Sequence, residues 1–162
     1  MLDENFKKGT ILMRFSVMPA IVLLGIGATS VLAQSNQLPS TALMREQGAA
    51  MYGILNRMAT GEVPYDQTKV DEALATLAST SARIPQAFPE SNKGKSTSDS
   101  RYRASAKVWE TRSDFEEYAQ NVSKAVQDNK SKVKNVQTLK AAYDEIEDHC
   151  NGCHNDYRQR KG

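Results

Sequence analysis

The sequence predicts an all-α protein folded as an antiparallel up-down-up-down four-helix bundle. Three observations carry that expectation. Four stretches place apolar residues at three- and four-residue steps. Proline, glycine and polar clusters separate them. No stretch alternates apolar and polar residues for long enough to make a useful strand. With 162 residues, 40% apolar and 25% charged, the chain suffices for one domain with one modest core.

The first helix is expected from about Pro39 to Ala59, with Leu43, Gln47, Ala50, Met51, Ile54, Leu55 and Met58 on its stripe. Gly61 suits the left-handed position after a helix, and Pro64 blocks continuation. Asp66 is a good N-cap for the second helix, whose stripe is Val70, Ala73, Leu74, Leu77, Ala78 and Ser81. Pro85 stops it. From Ile84 to about Arg103 an irregular loop is expected, with Ile84, Ala87 and Phe88 tucked against the bundle. The third helix is expected from about Ser105 to Asn129, buried through Val108, Trp109, Phe115, Tyr118, Ala119, Val122 and Val126. The fourth is expected from about Asn135 to Arg160, with one face running from Val136 to Tyr157. Short and moderate connections favour antiparallel neighbours.

Residues 1–33 differ from the rest. Lys7, Lys8 and Arg14 precede a charge-free run from Val17 to Ala33 that closes on Val31-Leu32-Ala33. This is the three-part layout of a secretory signal. A retained anchor is the weaker reading, because Pro19, Gly25 and Gly27 interrupt the run and no basic flank follows. The expected organisation is a cleaved signal over 1–33 and a bundle domain over 34–162, exported to the periplasm without stable membrane insertion. Translation would start at Met1 or Met13. A formal net charge of +2 gives no electrostatic case for nucleic acid or an anionic membrane.

The chain's two cysteines lie in HCNGCH, residues 149–154. Cys150-Asn151-Gly152-Cys153-His154 matches the attachment signature of haem c. On a helix, residues three and four apart share a face, so Cys150, Cys153 and His154 point one way. Two thiols can then add to two vinyl groups on one porphyrin edge, and the imidazole can reach the iron as proximal ligand. Other uses of the pair fit less well. A thioredoxin-type site follows a strand and opens a helix. A structural zinc site needs four ligands, and His149 is the only further histidine or cysteine. A plain disulfide is the remaining use in an oxidising compartment. His149 itself reads as a surface or groove residue.

After residue 33 the methionines are Met44, Met51 and Met58, seven residues apart on nearly one stripe. A seven-residue step is about 10 Å along a helix, so only one can stand over an iron. In an antiparallel bundle the end of the fourth helix lies beside the start of the first. Met44 is then level with His154, and Met51 is about two turns deeper. Met44 is the candidate distal ligand, with Met51 and an open distal site as alternatives. The others are core methionines.

The sequence resembles the cytochrome c′ superfamily, in particular its low-spin cytochrome c-556-like branch. The resemblance covers essentially all of residues 34–162. It is carried by LMREQG at 43–48, GEVPYDQ at 61–67, AFPE at 87–90, the segment around Trp109, TLKAAY at 138–143 and CNGCHNDYR at 150–158. It implies one covalently attached haem c on Cys150 and Cys153, iron ligated by His154 and Met44, and a role for Arg158 in haem electrostatics. Many members carry an arginine one turn before the distal position. Here that position is Ser40, and Arg45 is the candidate substitute for a propionate contact. Some members pair as homodimers through the first two helices.

The function these residues imply is non-enzymatic: an electron carrier cycling between Fe(III) and Fe(II) with redox proteins as partners. The alternative is a high-spin cytochrome c′-like protein that binds NO or CO at an open or displaceable distal site. No Ser-His-Asp pattern or phosphate loop is present. Trp109 reads as a core or interface aromatic. Lys130, Lys132 and Lys134 read as a solvated loop, or as a docking patch for an acidic partner. Asp144, Glu145, Glu147 and Asp148 read as the wet side of the last helix.

Overall fold

Pro39 opens the first helix, where its missing N–H costs nothing. In this computed structural model, which describes residues 37–159, the helix runs through three segments: α-helical Pro39–Gly48, π-helical Ala49–Leu55 and α-helical Asn56–Ala59. Together they are α1. The expected signal over residues 1–33 lies outside the described residues. α1 ends as the sequence predicts, with Gly61 in the left-handed region at φ 78°.

α2 spans Gln67–Ser81, and Asp66 caps it by accepting from the Lys69 N–H at 3.2 Å. α3 spans Arg112–Lys130 and α4 spans Val136–Tyr157. Asn135 and Thr138 close a reciprocal capping box at the start of α4. The Asn135 side chain accepts from the Thr138 N–H at 2.9 Å, and the Thr138 hydroxyl accepts from the Asn135 N–H at 3.1 Å. α1 packs on α2, α2 on α3 and α3 on α4, and α4 returns to pack on α1. The ring closes the four-helix bundle, as the periodicity predicts.

Buried side chains fall into two clusters. The larger joins all four helices through residues such as Leu55, Leu74, Val126, Leu139 and Ile146. The smaller sits under the 84–108 connection and holds Leu43, Phe88, Val108, Phe115, Cys153 and Tyr157. Ile84, Ala87 and Phe88 are buried as expected, but Ile84–Ala87 forms one helical turn rather than irregular chain. The third helix also departs from expectation. It breaks at Thr111, whose φ of −119° and ψ of 56° leave a separate turn at Lys107–Glu110. The Thr111 hydroxyl donates to the Lys107 carbonyl at 3.1 Å and pairs with the Tyr157 hydroxyl at 3.1 Å, so side-chain bonds hold the break.

The capping box and the core give one prediction on stability. Asn135→Ala should lower unfolding free energy by about 1 kcal/mol. Leu139→Ala, one turn on and wholly buried, should lower it by about 2–5 kcal/mol. Urea unfolding followed by circular dichroism measures both, and equal losses would contradict the packing described.

Candidate functional site

The last three turns of α4 carry the conspicuous motif. Cys150 is half-buried, Cys153 is buried and His154 is half-buried. Their three- and four-residue spacing sets them on one face, opposite the first half of α1. Between the two helices lies a cavity of about 310 Å³. Cys150, Cys153 and His154 line it from α4, and Met44, Gln47 and Met51 line it from α1. Phe88, Phe115 and Tyr157 make an aromatic wall, with Phe115 edge-on to both of the others at 5.2 Å.

Met44 and Met51 differ in setting. Met51 is 3% exposed within the larger cluster, whereas Met44 is only partly buried and packs on the smaller one, with Cys153. The end of α4 therefore faces the first turns of α1, as antiparallel packing requires. Met58 is buried in the larger cluster and does not line the cavity.

The site's electrostatics follow from burial. Burial, reinforced by Glu147, pushes the Cys150 thiol up to about 11. Burial, then Cys150 and Asp156, pushes Cys153 up to about 12. Both groups are thiols at neutral pH, the opposite of the lowered thiol of a disulfide oxidoreductase. They are free, with no disulfide between them. Burial, then the Arg158 charge, brings His154 down to about 4, so its imidazole is neutral and able to ligate a metal. Among the described residues no three histidine, cysteine or acidic side chains gather closely enough to hold a metal ion by themselves. His149 is exposed and does not line the cavity.

Arg158 lines the cavity, but from outside the helix. α4 was expected to continue to Arg160 and instead ends at Tyr157. Arg158 is extended and forms an antiparallel bridge with Ala104. The Ser105 N–H donates to the Tyr157 carbonyl at 2.8 Å, and the Gln159 N–H donates to the Arg103 carbonyl at 2.9 Å. A long-range backbone pairing competes with the helix here, and helical periodicity carries no sign of it. Arg45 does not line the cavity. It donates to Asp99 at 3.4 Å and lies 5.3 Å from the Tyr102 ring centre. Ser40 is buried.

Sequence reasoning missed two groups. Arg101, Tyr102 and Arg103 line the cavity from the connection before α3. Their only sequence signal is a basic-aromatic-basic triplet closing a polar loop. Gln47 was read as a stripe residue, yet it lines the same cavity, and its buried Nε2 has no hydrogen-bond partner. Trp109 is partly buried against the smaller cluster, donates to the Pro89 carbonyl at 3.2 Å and does not line the cavity.

These features fit a haem: an apolar and aromatic wall, two thiols and a neutral imidazole on one helix, and a thioether and an unpaired amide on the facing one. Comparison with known proteins agrees. The family model for cytochrome c′ matches residues 40–158. A cytochrome c-556 of Rhodopseudomonas palustris is 40% identical over 136 residues, covering 83% of this chain and 91% of that one. A cytochrome c′ of the same organism is 29% identical over 154 residues, covering 92% and 98%. The structure of oxidised R. palustris cytochrome c556 superposes with a TM-score of 0.68 at 38% identity, covering 79% of this chain and all of that one. With the haem attachment motif on the cavity wall and the likeness spanning the whole bundle, the chain belongs to the cytochrome c′ family and is a haem c cytochrome.

Proposed function

We propose that this chain is a periplasmic electron carrier whose haem iron is held between His154 and Met44. The observation that carries the reading is Met44. It is partly exposed, lines the cavity opposite the Cys150-Cys153-His154 face and packs with the same cluster as Cys153. Cys150 and Cys153 would hold the haem through thioether links, and His154 would offer the iron a neutral imidazole nitrogen. Met44 would supply a thioether as the second ligand, which favours low-spin iron and a raised potential. The haem supplies a one-electron couple when bound. Phe88, Phe115 and Tyr157 exclude water around it and keep the pocket dielectric low. The signal-like layout of residues 1–33 supports export. Exposed Lys130, Lys132 and Lys134 offer an acidic redox partner a place to dock.

A second reading is favoured by one observation. Gln47, one turn from Met44, lines the cavity and has a buried Nε2 without a hydrogen-bond partner, a donor that a diatomic ligand on iron would satisfy if the side chain turned toward it. Likeness to a cytochrome c′ at 29% identity keeps that reading in view. Absorption spectra separate the two. The carrier shows a sharp low-spin pattern when reduced and a methionine charge-transfer band when oxidised. The gas binder shows a broad high-spin pattern that changes readily with carbon monoxide.

Met44→Ala should convert the low-spin spectrum to a high-spin one that binds carbon monoxide. Met51→Ala should keep the low-spin spectrum while losing about 2–5 kcal/mol of stability. A low-spin Met44→Ala protein, or a high-spin Met51→Ala protein, would refute the ligand assignment. Replacing Cys150 and Cys153 together with serine should make the pigment extractable into acidified organic solvent. Wild-type pigment should stay with the protein under the same treatment.

A further inference from the structure

We propose that Glu147, held between the hydroxyls of Tyr143 and Tyr52, fixes a carboxylate charge beside the attachment edge of the haem and so lowers the reduction potential of the iron. The inference rests on the electron-carrier reading above, with haem attached at Cys150 and Cys153, and deepens it by naming a residue that sets the carrier's potential.

The placement follows from helical spacing. On α4, Tyr143, Glu147 and Cys150 stand at four- and three-residue steps, so they share a face. Tyr143 is buried in the larger cluster, and its hydroxyl donates to Glu147 Oε1 at 2.7 Å. Tyr52 comes from the π-helical part of α1. It lines the cavity together with Cys150 and hydrogen-bonds the same carboxylate. Burial, then the Glu147 charge, raises the Tyr52 hydroxyl above its usual range. Burial, then the hydrogen bond to Glu147, raises that of Tyr143. Both tyrosines are therefore protonated donors at neutral pH, and the carboxylate accepts from both. Its reach into the site shows at Cys150, where the Glu147 charge adds to burial in holding the thiol up.

Glu147 differs from the other carboxylates of α4. It is half-buried, and among the described residues no lysine or arginine forms an ion pair with it. Asp144 is exposed and pairs with Lys140 at 3.0 Å, and Asp156 lies 3.7 Å from Lys107. Glu145 and Asp148 are exposed. Asp144, Glu145 and Asp148 are thus the wet side that the sequence predicts, whereas Glu147 turns toward α1. The Arg158 charge also reaches Tyr52 and acts in the opposite sense. Haem iron carries one more positive charge in the ferric state. A fixed anion nearby therefore favours Fe(III), and more strongly where protein rather than water lies between. Hydroxyl donors from two helices hold that charge in place without cancelling it.

The test measures the reduction potential of the haem-loaded protein with Glu147→Gln, which keeps the side chain's shape and an oxygen for the two hydroxyls. The potential should rise, favouring Fe(II) by about threefold to tenfold, where tenfold in a one-electron couple is about 59 mV. Glu147→Asp keeps the charge and should stay within about twofold of wild type. Glu145→Gln, which removes an exposed carboxylate from the same helix, should also stay within about twofold. Absorption spectra of both oxidation states should keep the wild-type spin pattern in every variant, so that the shift reports charge and not a lost ligand. A Glu147→Gln rise smaller than about threefold overturns the proposal. So does an equal rise from Glu145→Gln or Glu147→Asp, or a changed spin pattern in Glu147→Gln. If the Gln variant does not fold, Glu147→Ala decides on the same readouts. Haem staining after denaturing electrophoresis reports attachment separately. Wild-type protein that loses its haem there overturns the attachment reading and the proposal with it, whereas stained protein without the shift overturns the proposal alone.

Discussion

The site depends on one geometric constraint, the sharing of a helix face by residues three and four apart. Cys150, Cys153 and His154 obey it on α4, and the bundle decides what that face meets. Because α4 runs antiparallel to α1 and packs on it, the end of one helix faces the beginning of the other. Met44 and Gln47 therefore join the cavity from the first turns of α1. A parallel pairing would have brought the motif to the Met58 end instead, into the larger core cluster. Connection length matters as much as the motif, since short links make the neighbours antiparallel.

The two buried clusters divide the work of the fold. The larger is a four-helix core of aliphatic side chains with few polar groups. The smaller is rich in aromatics and is completed by the 84–108 connection rather than by a bundle helix alone. Cys150 packs against both, so the motif sits at their junction. A flat apolar ligand inserted there is wedged between a stiff bundle and a covering segment. The cover is held by specific bonds as well as burial: Arg112 donates to the Pro85 and Phe88 carbonyls at 2.8 and 2.9 Å, tying the connection to the start of α3.

Much of this is legible in the residues. Four periodic stretches, Asp66 as a cap, Gly61 as a stop and the cysteine-histidine motif all express local rules, and local rules survive without tertiary context. The burial of Ile84, Ala87 and Phe88 was legible for the same reason, being apolar residues in an otherwise polar loop. What was not legible depends on long-range pairing or on small changes of pitch. The π-helical turn at Ala49–Leu55 keeps apolar residues inward at nearly helical spacing, so a pattern of one seven-residue stretch does not separate it from an α-helix. The break at Thr111 is held by Tyr157, 46 residues away. Arg101 and Arg103 looked like loop charges because nothing local says which surface a loop arginine faces.

The end of α4 shows why such misses fall at the functional site. Periodicity carries that helix past Arg158, and there Arg158 would stand one turn above His154 on the same face. Instead the helix stops at Tyr157, whose carbonyl is taken by the Ser105 N–H rather than by a further turn. The chain leaves in extended form and pairs with the 103–104 backbone. His154 keeps its half-buried, neutral imidazole, and Arg158 lines the same cavity. Ending the helix early thus leaves the imidazole in its half-buried setting, while the Arg158 charge, which itself favours the neutral ring, lines the cavity from beyond the helix end.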